Sequence, residues 1–170
     1  MLVDKEKNVW LGSGGDGQGL FKAKNGNLEK VSFPEFPEFD HAIVKRIHQD
    51  QYGNIWVGCN GDLYRISQLD SESQYIEKLS TNQKIKSYDE LSVVTNIYSD
   101  SLSYFVWFGT ELNGLYRIRN EKGVGLDEIQ ILNYIPDPGD PTAVNSNFIS
   151  CITRDQKGQL WIGTEGGGIS

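Results

Sequence analysis

The chain has 170 residues, of which 38% are hydrophobic and 11% aromatic, with 19 glycines and a net charge of −7. That is enough apolar material for the core of about one domain, and too much for a disordered chain. The acidic balance, with no Lys/Arg run longer than two residues, excludes nucleic acid and disfavours an anionic membrane surface.

No apolar run approaches the roughly 20 residues of a membrane span. The N-terminus, M-L-V-D-K-E-K-N-V-W, lacks the continuous apolar stretch of a secretory signal. Either the protein stays inside the cell or its signal lies upstream of this segment.

The first predicted strand is V-W-L-G-S, residues 9–13: an apolar residue, Trp10, an apolar residue and Gly12. The phrase returns as I-W-V-G-C around Trp56 and Gly58, V-W-F-G-T around Trp107 and Gly109, and L-W-I-G-T around Trp161 and Gly163. The tryptophans stand 46, 51 and 54 residues apart. An aspartate precedes each one: Asp4, Asp50, Asp100 and Asp155. The gap is six residues in three units and seven in the third, where Ser103-Tyr104 replaces the expected glycine turn. A polar, Gly-rich loop follows each motif. Then come apolar patches in the first three copies: G-L-F-K-A, D-L-Y-R-I and G-L-Y-R-I.

Upstream of three of the aspartates another pattern recurs. Ile47, Ile97 and Ile152 stand three residues before it, Val44, Val94 and Ile149 six, and Ile43, Val93 and Phe148 seven. Repetition at a period near 40–50 residues, with several short strands per unit, predicts propeller blades. One unit reads as strand A, an Asp/Gly turn, strand B with Trp, a Gly loop, strand C, a variable loop and strand D. Candidates for strand D are residues 28–33, 75–79 and 130–135. Four strands make one blade.

The fold expectation is therefore all-β: a partial propeller of about three four-stranded antiparallel blades. The blades are placed at about 1–34 (partial), 41–80, 91–135 and 147–170 (partial). Blade one lacks a full strand A before Asp4, and blade four stops as strand C begins. A closed propeller needs about four to eight blades, so the chain reads as cut at both ends. Exposed blade faces then predict self-association. No convincing helix appears, although 82–91 could form one turn. Three prolines exclude regular structure from P-D-P-G-D-P at 136–141.

Strand alternation puts Ile and Val of I-W-V-G on one face, Trp and Gly on the other. With blades packed face to face, both faces are buried, and the Gly leaves room beside the indole. That assigns the tryptophans to packing rather than to sugar stacking.

Other candidates weaken on inspection. Gly12, Gly14 and Gly17 spell G-x-G-x-x-G, but a strand follows where a dinucleotide site needs a helix. His41 and His48 point to opposite faces of a strand, which argues against a shared metal. Cys59 and Cys151 read as small buried hydrophobes. Asp137 and Asp140 form a calcium-like loop, better read as a solvated turn. Glu35 and Glu38 lie in F-P-E-F-P-E-F, a stiff connector whose phenylalanines cover a blade edge or form an exposed aromatic rim. No catalytic, cofactor or metal residue is assigned, and no ligand-binding residue is identified.

The pattern D-x-x-G-x-[ILV]-W-[ILV]-G-T-x-x-G-G, after a strand like F-I-S-C-I-T-R, resembles the two-component regulator propeller repeat. The best copies are 144–169 and 50–58. Units one and three depart from it by lacking the turn glycine, and unit two by Cys59 and a shortened loop. The resemblance implies the periplasmic sensor region of a hybrid two-component histidine kinase. It implies partners too: further blades and downstream sensor domains of the parent, and an oligosaccharide ligand from glycan breakdown. The expected function is non-catalytic ligand sensing. The alternatives are a propeller enzyme of lyase or lactonase type and a protein-interaction scaffold.

Overall fold

The computed structural model describes residues 1–15, 17–68, 74–82, 85, 91–100 and 102–170. The strands of the first unit are β1 (Leu2–Val3), β2 (Val9–Gly12), β3 (Leu20–Lys24) and β4 (Asn27–Val31). The second has β5 (Val44–Gln49), β6 (Ile55–Cys59), β7 (Leu63–Gln68) and β8 (Gln74–Lys78). The third has β9 (Val94–Asp100), β10 (Phe105–Thr110), β11 (Leu115–Arg119) and β12 (Ile131–Tyr134). The fourth has β13 (Ile149–Arg154), β14 (Leu160–Thr164) and β15 (Gly168–Ile169). Each set forms its own antiparallel sheet in chain order, with four, four, four and three strands. Two short 3-10 turns, Pro37–His41 and Leu79–Thr81, are the helical segments among the described residues. The turn considered at 82–91 falls outside the described residues except at Asn82, Ile85 and Leu91.

The hairpin between strands A and B needs one residue in the left-handed region. Gly53 (φ 89°) and Gly158 (φ 87°) supply it in units two and four. Units one and three have no glycine there, and Lys7 (φ 68°) and Tyr104 (φ 59°) adopt the same region instead. Such a backbone costs a side-chain-bearing residue on the order of 1–2 kcal/mol. The repeat therefore keeps its turn even where its preferred residue is missing.

Residues directly opposite across antiparallel strands share a face. Trp56 lies across from His48 and Arg65, while Val57 lies across from Ile47 and Tyr64. Each sheet thus has a Trp/Gly face and an Ile/Val face. Trp10 and Leu20 pack with Ile55, Val57, Tyr64 and Ile66. Trp56 and Leu63 pack with Val94, Val106, Phe108 and Ile118. Leu115, with Trp107 and Tyr134 against it, packs with Ile149, Ile152 and Ile162. At every joint the Trp face of one sheet rests on the Ile/Val face of the next. Full burial of one such large side chain is worth about 1.5–3 kcal/mol.

The motif glycines have a more specific task than leaving room for the indole. A Cβ on Gly12 would collide with Val44 of the next sheet. On Gly58 it would lie 2.6 Å from Val94 Cγ1, and on Gly109 2.5 Å from Ile149 Cβ. Strand A of the following sheet seats its β-branched residue on the bare backbone of the preceding strand B. This explains why Val44, Val94 and Ile149 recur six residues before their aspartates.

Two expectations need correction. Trp161 is 46% exposed and Trp107 only half-buried, so packing does not cover all four indoles. Among the described residues no further sheet lies against the Trp face of the fourth, and three strands of that sheet shield Trp107. Cys59 is buried, but Cys151 is exposed because it shares that uncovered face, opposite Gly163.

Candidate functional site

The aspartates do more than start turns. Asp50 Oδ1 accepts from the backbone N–H groups of Tyr52 and Asn54, both at 2.9 Å, closing the hairpin. Its other oxygen accepts from Trp56 Nε1 at 2.9 Å. Asp4 repeats this, taking Trp10 Nε1 at 2.8 Å, as does Asp155 with Trp161 Nε1 at 3.1 Å. Each carboxylate clasps its turn to its indole, which satisfies the one polar atom of a buried Trp. Burial pushes the Asp4 carboxyl up, but the hydrogen bonds from Asn8 and Trp10 outweigh it and hold its pKa below the ordinary value. The Asp155 pKa is also lowered, first by the Trp161 bond and then by backbone N–H groups.

Unit three breaks the pattern. Trp107 is one residue further from Asp100, and among the described residues no hydrogen bond joins them. Asp100 instead accepts from Ser103 Oγ and, at 2.7 Å, from Arg154 Nη1 of the fourth sheet. Burial raises the Asp100 pKa, but these partners outweigh it and hold it low. Trp107 packs beside Tyr134 with ring centroids 5.7 Å apart, under the Arg117 guanidinium.

Further polar ties bind neighbouring sheets. Asn120 Nδ2 donates to Asp50 Oδ2 at 2.8 Å, bringing the third unit to the second clasp. Lys5 N donates to Gln49 Oε1 at 2.8 Å, and Lys5 Nζ to the Asp50 carbonyl at 3.1 Å. His48 Nε2 lies 2.7 Å from Ser99 Oγ, between strands β5 and β9. Burial lowers the His48 pKa against the pull of Asp50. His41 ends the first 3-10 turn, exposed to solvent and away from any strand.

The remaining candidates are structural. Gly17 and Gly19, with positive φ, lie against the His41 and Phe39 carbonyls, so the Gly-rich loop carries the incoming connector. In F-P-E-F-P-E-F, Phe33 and Phe39 are buried, with Phe39 4.9 Å from the Tyr64 ring. The phenylalanines form an internal cluster rather than an aromatic rim. Glu35 is exposed, and Glu38 accepts from Lys78 Nζ at 3.0 Å. Asp137 and Asp140 are exposed and accept from Gly139 N and Thr142 N, both at 2.8 Å. Among the described residues, no three His, Cys, Asp or Glu side chains converge as a metal site.

What sequence reasoning missed is a cleft at the Asp-turn end. It has a volume of about 370 Å³ and lies between the turns of the first two sheets. Lys5, Glu6, Gln49, Gln51, Tyr52 and Asn54 line it. Both amide atoms of Gln51 are buried there without a hydrogen-bond partner. The Tyr52 ring, 38% exposed, separates this cleft from a second of about 260 Å³ lined by Arg65, Ser67 and Tyr75. Amides, a carboxylate, an ammonium and a tyrosine converge on one rim. The sequence signal was Tyr52 itself, an aromatic at the tip of a turn otherwise written in small and polar residues.

Residues 38–61 and 143–166 match the family described as two component regulator propeller. Two of the four units are thus similar to the two-component regulator propeller repeat. The matched stretches are the second and fourth units, the two that keep the turn glycines Gly53 and Gly158. Several solved structures share the repeats' fold. One is the extracellular domain of the putative hybrid two component system BT4673 from B. thetaiotaomicron, with TM-score 0.69 and 21% identity, covering 98% of this chain and 20% of that one. The corresponding domain of BT3049 from B. thetaiotaomicron gives TM-score 0.65 and 20% identity, over 97% of this chain and 18% of that one. PorZ, a surface component of the type-IX secretion system of Porphyromonas gingivalis, gives TM-score 0.64 and 20% identity, over 95% and 23%. The chain spans about a fifth of the length of these structures. No curated protein matches it.

Proposed function

We propose that this chain is a non-catalytic ligand-sensing segment of a hybrid two-component sensor histidine kinase, exposed to the periplasm. Its ligands are oligosaccharides released from glycans. The repeat family and the extracellular domains with the same fold support the sensor reading. The cleft at Gln51 and Tyr52 supports the ligand class. A buried primary amide without a partner offers both a donor and an acceptor, which suits a vicinal pair of hydroxyls. The adjacent phenol ring offers a flat apolar face of the kind a sugar ring covers. That orphaned amide is the single observation on which the placement rests. The Ser99–His48 contact joins β5 to β9, and among the described residues no hydrogen bond orients the other imidazole nitrogen. It lacks the third group of an acyl-transfer site.

The test is titration calorimetry of the chain against a panel of neutral and acidic glycan oligosaccharides, alongside hydrolase and lyase assays on the same panel. Binding of one class, weakened about tenfold or more by Gln51→Ala and by Tyr52→Ala, is the expected result; removing a buried hydrogen bond costs about that much. Turnover of the panel, or no binding to any member, would overturn the reading.

A further inference from the structure

The cleft at Gln51 and its neighbour have a wall in common, because Tyr52 and Asn54 line both. The first lies between Lys5 and Glu6 of the first unit and Gln51 and Tyr52 of the second. The other lies at the next joint, where Arg65, Ser67 and Tyr75 of the second unit stand across from Glu121, Lys122 and Gly123 of the third. Each is bounded on both sides by units of this chain. Ligand pockets run to about 300–1,000 Å³. At about 260 Å³ the second cleft alone falls short of that range, and at about 370 Å³ the first stands near its lower end. Joined at Tyr52, the two fall well inside it.

The groups along this groove that remain open to a ligand are mostly uncharged. Ser67 lies opposite Tyr75 on the neighbouring strand, so both side chains share a face of the sheet. Neither hydroxyl has a hydrogen-bond partner among the described residues. Most of the charged groups beside them are already engaged. Arg65 pairs with Glu77 at 2.5 Å and donates to the Val124 carbonyl at 2.6 Å. Glu121 pairs with Arg119 at 2.5 Å. Lys5 Nζ donates to the Asp50 and Gln51 carbonyls at 3.1 and 3.3 Å. Glu6 and Lys122 have no ion pair among the described residues, but they are of opposite sign and line different clefts. The groove therefore offers no excess charge to an acidic or a basic ligand. What it repeats from end to end is amide, hydroxyl and phenol ring.

We propose that the two clefts form one groove for an uncharged oligosaccharide of at least two sugar units. The inference rests on the sensor reading above and adds to it the charge of the ligand and its minimum length. One sugar takes the Gln51 amide. The chain then passes the Tyr52 ring, and the next sugar takes Ser67 Oγ and the Tyr75 phenol. A chain so placed touches three units of the fold across two joints, from Lys5 to Lys122. Its binding favours the arrangement in which both joints have this spacing, which is how a ligand biases a conformational equilibrium. A single sugar touches one joint and lacks that leverage.

Titration calorimetry of the whole chain against fragments of one to six sugar units from mannan, galactan, xylan and polygalacturonate tests this. One neutral series is expected to bind, its affinity rising about tenfold or more from the single sugar to the fragment that fills both clefts, and then levelling. Ser67→Ala and Tyr75→Ala are expected to weaken the long fragments about fivefold or more, the effect of one lost hydrogen bond, and to leave the single sugar within about twofold. That retained binding also shows both variants to be folded. Gln51→Ala is expected to weaken every length. Affinity that does not change with length, S67A and Y75A binding long fragments as the parent does, or a preference for polygalacturonate would each overturn this proposal, while binding that still depends on Gln51 would leave the sensor reading in place. No binding to any fragment would overturn both.

Discussion

Substituting Gly58→Ala tests how the sheets meet. The added methyl would lie 2.6 Å from Val94 Cγ1, 2.9 Å from Val94 Cβ and 3.3 Å from Ile97 Cδ1, all on the next sheet. Carbon atoms rest about 3.5–4.0 Å apart. The joint must therefore open by about 1 Å, or Val94 must leave its place, in a β-strand whose backbone cannot yield alone. Overpacking of this kind costs about 1–3 kcal/mol, and two atoms of one β-branched residue in the way put the figure near 2 kcal/mol. For a chain of this length that corresponds to a fall in Tm of about 4–8 °C. Gly14→Ala is the comparison, because nothing lies within 4 Å of a Cβ there and its φ is not positive. Its effect is expected within about 0.5 kcal/mol. Val94→Ala alone leaves a cavity and costs about 1–3 kcal/mol. Combined with Gly58→Ala, the new methyl occupies part of that cavity, so the double variant loses at least about 1 kcal/mol less than the sum. Urea unfolding followed by tryptophan fluorescence measures all four proteins. Additivity within about 0.3 kcal/mol, or an equal cost for Gly14→Ala, would refute the reasoning that strand A of one sheet seats on the glycine of another.

The thiols offer a sharp contrast. Burial, with Asp62 adding to it, pushes the Cys59 thiol up to about 12, whereas Cys151 is exposed; a thiol reagent should titrate one equivalent in the native chain and two after unfolding. Burial lowers the pKa of His48, so the folded state resists a proton that the unfolded state accepts near pH 6.5. Its contribution is intact above that pH and lost as pH falls below it, and the drop in denaturation midpoint between pH 7.5 and 5.5 should shrink in His48→Gln. Tyr104 holds a φ of 59° where two other units use glycine; Tyr104→Gly should raise stability by up to about 1 kcal/mol, read by thermal unfolding, while Gly53→Tyr should lower it by at least as much.

The strands and their order were legible because a period of two, punctuated by Asp and Gly, is a local property repeated four times. The Trp–Gly pair was visible, but its partner was not, since Val44 lies 32 positions after Gly12 and only folding brings them together. The recurrence of Val44, Val94 and Ile149 at one offset was the trace of that contact. The clasp from aspartate to indole escaped because Asp also reads as an ordinary turn residue, and one carboxylate performs both tasks with different oxygens. The exposure of Cys151 and Trp161 depends on whether a sheet lies above them, which no local pattern encodes. The cleft at Gln51 and Tyr52 arises where two turns from different units approach, so neither turn announces it alone.

The central claim is that each aspartate holds the indole of its own unit, except in the third. Nitrogen-15 correlation spectra resolve the four indole N–H groups, and single Asp→Asn variants assign the dependence. Asp4→Asn, Asp50→Asn and Asp155→Asn should each shift one indole resonance most, those of Trp10, Trp56 and Trp161 in turn, while Asp100→Asn leaves that of Trp107 nearly in place. An Asp50→Asn variant that folds with the Trp56 resonance unmoved, or an Asp100 change that displaces Trp107 as strongly as the others displace theirs, would contradict the account.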